Sequence, residues 1–157
     1  MMRLEHLKLL GPKAQRFEMG TGGTPEITFQ EVADAMGPLT PLASGYARYR
    51  YAGEYSQIKR LKPAILSIID RSKRHKETPH TPQYWAKIID LAIAFHAHDR
   101  IFTLRTKARK IRSSRWRVID EKNFVFVLDI LDRADDDLRM ALRTWNENRR
   151  AEAESPL

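Results

Sequence analysis

The sequence predicts an all-α protein, a compact bundle of about five helices, on three observations. Apolar residues recur at i, i+3 and i+4 along most of the chain, Ser, Thr or Asp precedes these runs, and glycine or proline punctuates the gaps between them. An N-terminal pair of short helices has the spacing of a helix-turn-helix, and a flexible lead-in is expected ahead of it.

Residues 1–25 are read as that flexible N-terminal segment, because Gly11-Pro12 and Gly20-Thr21-Gly22-Gly23-Thr24-Pro25 disfavour regular structure. Leu4, Leu7, Leu9 and Leu10 are available to dock on the body or on a partner. A single helical domain is expected over 26–150, and 151–157 are expected to be a disordered tail.

Thr28 followed by Glu31 forms a capping-box pattern for a helix from Phe29 to Met36, which Gly37-Pro38 ends. Thr40 then caps a second helix with Pro41 at its first position, where the missing N–H is harmless, and this helix runs towards Gly53. Ser56 caps a third, with Ile58, Leu61, Ile65, Leu66, Ile68 and Ile69 as its apolar stripe and Pro63 as an expected kink or break. Lys73 to His80 reads as a loop. Thr81-Pro82 repeats the cap-plus-proline start for the most apolar helix, Trp85 through Ile101. Asp120 is the expected cap of the last helical stretch, through Phe124, Phe126, Val127, Ile130 and Leu131, continuing or restarting into Leu138 and Trp145. The FVFV run at 124–127 would also suit a strand, but its apolar pattern extends well past strand length, so helix is preferred.

The chain has 157 residues and no cysteine, so it is long enough to bury a core, and disulfides, thiolate metal sites and thiol nucleophiles are excluded. Its N-terminal apolar residues are too few and too interrupted by charge for a signal or membrane segment, and a cytoplasmic protein is expected. With 28 Lys and Arg against 20 Asp and Glu the net charge is +8, which favours a polyanionic partner.

The excess is concentrated. Between residues 100 and 119 stand Arg100, Arg105, Lys107, Arg109, Lys110, Arg112, Arg115 and Arg117, with no acid among them. A solvated helix face normally interleaves both signs, so this basic segment is expected to track phosphates, with Arg105 through Arg117 as the phosphate-binding candidates. An anionic membrane surface or an acidic protein patch would suit the same cations. Lys59, Arg60, Lys62, Arg71, Lys73 and Arg74 form a weaker second basic face.

In the helix-turn-helix-like unit, 26–53, Val32 and Met36 are expected to face inward and Ala33 to lie at the helix crossing. The second helix then offers Thr40, Ser44, Arg48 and Arg50 as base-reading candidates, with Tyr46, Tyr49 and Tyr51 divided between core and phosphate contact. Arg48 is the first choice, because a guanidinium fork pairs with guanine in two places. An ordinary helical hairpin serving only the core fits the same residues.

No catalytic residue, cofactor or metal site is expected. His96 and His98 point to different helix faces, and Asp135, Asp136 and Asp137 read as a solvated turn or helix start. Phosphate-loop, dinucleotide and serine-elbow motifs are absent from the sequence.

Met2-Arg3-Leu4-Glu5 with Gly11-Pro12-Lys13, the stretch Glu31-Val32-Ala33-Asp34-Ala35-Met36-Gly37 and, more faintly, Leu91 to Arg100 together resemble the phage late-gene antitermination proteins called Q, of the lambdoid type. The resemblance covers the first third of the chain and the rest in outline. That family places paired zinc-binding cysteines after the apolar helix, where this chain carries its basic stretch, so zinc is not carried over.

The resemblance implies a non-enzymatic transcription regulator. It would bind double-stranded DNA near a late promoter, engage sigma factor and RNA polymerase at a promoter-proximal pause, and allow read-through of terminators. The basic segment would contact DNA or nascent RNA, and Leu7, Leu9, Leu10 and the helix around Trp145 would be polymerase-facing surfaces. Neither a membrane nor a small-molecule substrate is expected. The alternative is a helical adaptor or inhibitor that binds a host protein through its basic face.

Overall fold

The computed structural model describes residues 1–11, 27–77, 79–98, 104–111 and 115–155, and among these every regular element is helical. The elements are a 3-10 helix Leu4–Leu10, α1 (Phe29–Met36), α2 (Pro41–Tyr51), a 3-10 turn Tyr55–Gln57, α3 (Ile58–Asp70), α4 (Lys73–Glu77), α5 (Pro82–His98), α6 (Leu104–Lys110) and α7 (Val118–Glu154). The all-α class is therefore as the sequence predicts, with more helices among the described residues than the expected five or so. None of the described helices is long and apolar enough to cross a membrane.

The chain divides into two compact units, one of residues 1–57 with 134–157 and the other of 58–133, where the sequence suggests one domain over 26–150. The helix α7 runs without a break through the boundary, so local periodicity carries no mark of it.

In the first unit α1 and α2 start as the sequence predicts. The Thr28 hydroxyl accepts from the Glu31 N–H while the Glu31 carboxylate accepts from the Thr28 N–H, and the Thr40 hydroxyl accepts from the Ala43 N–H ahead of Pro41. Val32, Ala35 and Met36 of α1 and Ala47 of α2 join Leu138 and Leu142 of α7 in the core, against which Ala33 packs. After α2 the chain turns at Gly53, whose φ of +69° is the left-handed region that a side chain resists.

At the start of the chain Leu4–Leu10 is helical where a flexible segment is expected, and its leucines dock on the body, one of the two places expected for them. Met2, Leu7 and Leu10 are buried in the same core, and Met2 is tied by its backbone N–H and carbonyl to the Asn146 amide at 2.8 and 3.0 Å. Four leucines in seven residues make this segment apolar enough to repay ordering by burial. Leu7 and Leu10 are thus core, not a polymerase-facing surface. The Gly/Pro-rich stretch 12–26 lies outside the described residues.

In the second unit α3 packs on α5, with Leu61, Ile65 and Ile69 on the buried stripe of α3. Pro63 neither breaks nor splits this helix, since its ring lies on the exposed side and only one backbone bond is forfeited. α5 starts at the Thr81 cap, whose hydroxyl accepts from the Tyr84 N–H, and buries Trp85, Ile88, Ile89, Ala92 and Ile93. The expected loop at 73–80 contains a helical turn, Lys73–Glu77, begun by the Ser72 hydroxyl accepting from the His75 N–H. Residues 124–127 are helical: Phe124 and Val127, three apart, are buried while Val125 is exposed.

Two readings near α7 are corrected. Asp135 to Asp137 lie in mid-helix, and Asp135 is buried, because donors from α2 and α7 compensate its charge. The expected disordered tail from 151 remains helical to Glu154.

Candidate nucleic-acid interface

Residue counts divided by unit place the whole excess of positive charge in one of them. Residues 58–133 hold 18 Lys and Arg against 8 Asp and Glu, a net +10, and the rest of the chain holds 10 against 12, a net −2. The basic segment dominates the first figure, and part of it forms α6.

The segment contains no acid of its own, but the first turn of α7 supplies two. Lys107 is buried: its Nζ lies 3.2 Å from a Glu121 carboxylate oxygen, 4.4 Å from the centre of the Phe124 ring and 5.3 Å from that of Trp116. The Trp116 indole N–H donates to the same Glu121 oxygen. Lys107 is therefore a packing cation, held by one ion pair and two ring faces, and is corrected from its expected role as a phosphate ligand.

Arg117 lies beside Asp120, Nε to Oδ2 3.6 Å, yet its side chain keeps 57% exposure. Arg109, Lys110 and Arg115 are exposed. Arg100, Arg112 and the side chain of Arg105 lie outside the described residues. Lys59, Arg60, Arg71, Lys73 and Lys76 add exposed charge on α3, on α4 and on the turn between them, although Lys73 lies 3.7 Å from Glu77, and the half-buried Lys62 pairs with Asp90 at 2.8 Å. Arginines and lysines that keep solvent exposure can exchange counterions for phosphates at a small desolvation cost.

Beneath these cations runs a polar network that the sequence reading missed. Asp120 and Asn123 are fully buried. Asp120 accepts from the Tyr84 hydroxyl at 2.6 Å and from the Arg117 N–H at 2.9 Å, so it closes the start of α7 from the third helical position and not as its cap. Asn123 donates to the Tyr84 oxygen and accepts from the Arg74 Nε at 2.7 Å. Burial and the Asp120 bond push the Tyr84 hydroxyl well above its usual range. His80 stacks on Tyr84 with 4.2 Å between ring centres, and its partial burial lowers its pKa despite the Asp120 charge. The Thr81-to-Tyr84 cap and Asp120 at the start of α7 are its local signals in the sequence, whereas the bonds that join Tyr84, Asp120, Asn123 and Arg74 span 36 to 49 positions.

The base-reading candidates lie in the other unit, and the structure engages most of them internally. Thr40 is the α2 cap, and Ser44 is half-buried. Arg48 pairs with Glu54 at 3.5 Å with a third of its side chain exposed. Arg50 pairs with buried Asp135 at 3.4 Å and lies 5.0 Å over the Tyr51 ring. Asp135 also accepts from the Tyr51 hydroxyl at 2.6 Å and from the Arg139 Nε at 3.3 Å. Tyr46 is core, and Tyr49 meets Tyr55 edge-on. The acid at 135 is what the sequence could not supply as a partner for Arg50, 85 positions away.

His96 bonds to Asp132 at 2.7 Å, and no group of His and carboxylates able to hold a metal occurs among the described residues. Compared with known proteins, the chain matches no family model, no curated protein and no solved structure.

Proposed function

We propose that the protein is a non-enzymatic nucleic-acid-binding protein, a DNA-binding transcription regulator of phage type that grips phosphates through its 58–133 unit. The observation that carries this reading is the net +10 of that unit, with Arg109, Lys110, Arg115 and Arg117 exposed in and around the basic segment. A compact unit with such an imbalance has a cost of self-repulsion that a polyanion relieves. Within this reading Arg48, the more exposed of the two arginines on α2, is the residue to reach a base, and it does so by exchanging Glu54 for the groove.

The finer reading, a late-gene antiterminator that loads onto RNA polymerase with sigma factor and passes terminators, rests on the resemblance of Met2 to Lys13 and Glu31 to Gly37 to the Q proteins.

A salt titration of binding to duplex DNA tests the first level. Engagement of about six phosphates lowers affinity about a thousandfold between roughly 50 and 200 mM salt. A flat response, or no binding at low salt, discards DNA binding and leaves a host-protein adaptor acting through the same basic face. Footprinting on the genomic neighbourhood with and without RNA polymerase tests the second level, and a footprint that polymerase neither extends nor shifts overturns it.

A further inference from the structure

The 1–57 with 134–157 unit contains a concave groove of about 380 Å³ between the α1–α2 turn and one face of α7. Leu39 and Trp145 line its apolar floor together with Met140, which is 58% exposed, and Asp34 and Asp137 stand on its rim. Its volume falls within the roughly 300–1,000 Å³ of concave sites that enclose a ligand. An exposed methionine beside a half-buried tryptophan is adaptable, polarisable contact surface.

The charges at this groove choose the occupant. Asp34 accepts from the Gln30 side-chain amide, and Asp137 has no ion-pair partner among the described residues. Arg149, which lies 5.1 Å over the Trp145 ring, is already paired with Glu31 at 2.8 Å. Asp34 and Asp137 are the only charged side chains among those that line the groove. At the groove itself Asp34 and Asp137 repel a phosphate backbone, and an apolar ligand without charge would desolvate these two carboxylates with no compensation.

We infer that this groove is a docking site for a protein segment that places an apolar side chain between Leu39, Met140 and Trp145 and flanking arginines or lysines against Asp34 and Asp137. The site is independent of the phosphate-binding reading: it uses none of the same residues, and it holds whether or not the other unit binds DNA.

Three short synthetic peptides test it on the full-length chain: one with leucine and phenylalanine flanked by arginines, the same anchors flanked by glutamates, and arginine flanks around serines. Affinity is read by fluorescence polarisation and location by amide shifts, with duplex DNA affinity measured in parallel. The arginine-flanked apolar peptide binds at least about tenfold tighter than the other two and shifts the amides of Leu39, Met140 and Trp145.

Asp137→Lys moves the preference towards the glutamate-flanked peptide, and Met140→Lys weakens the arginine-flanked one about tenfold. Both substituted positions are exposed, and circular dichroism verifies their folding. Equal affinity for the three peptides, affinity unmoved by both substitutions, or shifts confined to other residues overturns the proposal. So does a dimer that Asp137→Lys dissociates, since the occupant is then a second copy.

Discussion

The hydroxyl of Tyr84 donates a 2.6 Å hydrogen bond to the fully buried carboxylate of Asp120, which also accepts the backbone N–H that opens α7. Asp120 thus fixes both the entry of the longest helix and its register against α5. Asp120→Ala is expected to lower stability by about 3 kcal/mol, because it strands a buried hydroxyl and removes a helix-start acceptor. Tyr84→Phe, which leaves the Arg117 bond intact, costs about half as much. Urea unfolding of the two variants checks the ratio, and equal losses would refute the dual role.

Gly11 is constrained by a close approach. A Cβ at this position would run into the backbone carbonyl oxygen of Ala52, which no rotamer change relieves. Gly11→Ala is expected to destabilise by about 2–3 kcal/mol through backbone displacement. At Gly53 the space is open and only the positive φ resists a side chain, so Gly53→Ala costs about 1 kcal/mol. Thermal unfolding of both proteins measures the order.

Tyr51 gives the fold an alkaline limit. Burial, and then its bond to Asp135, push its hydroxyl from 10 up to about 12. The unfolded chain therefore loses this proton first. The stabilisation is complete below about pH 10, and it is lost as pH rises through about 12. Denaturant unfolding at stepped pH should show a steeper decline between those values for the native chain than for Tyr51→Phe, and parallel curves would contradict the assignment.

Lys107 and Arg109 are two positions apart and are expected to behave oppositely. Lys107→Ala removes the pair with Glu121 and the contacts over Phe124 and Trp116, and lowers stability by about 1–2 kcal/mol. Arg109→Ala leaves stability unchanged, weakens binding to all DNA sequences alike and reduces the salt slope by about 1. Paired unfolding and salt-titration data check this, and a Lys107 variant of full stability with lowered DNA affinity would return it to the phosphate ligands.

Arg48→Ala is expected to lower discrimination at a single base pair by about 1–3 kcal/mol, since base-edge contacts carry sequence information and phosphate contacts do not. Binding to a set of singly substituted duplexes measures it. A uniform loss across the set would remove α2 from the role of reader.

The sequence by itself determined where α1, α2 and α5 begin. Each start rests on a hydroxyl that accepts from a backbone N–H three residues on, at Thr28, Thr40 and Thr81, so all the interacting atoms lie within one turn. It likewise determined the inward faces of α3 and α5 and the helical state of residues 124–127, because helical period is a local property. Tertiary structure alone decided which cations face water. Lys107 meets Glu121 only when α6 lies against α7, and Arg50 meets Asp135 across 85 positions of chain. Packing also drew the first residues into the core, through Met2 and Asn146 at a separation of 144, and it formed the groove between Leu39 and Met140. A cap is closed by neighbouring atoms, whereas a charge pair or a cavity exists only after distant segments have met, and no periodicity encodes that meeting.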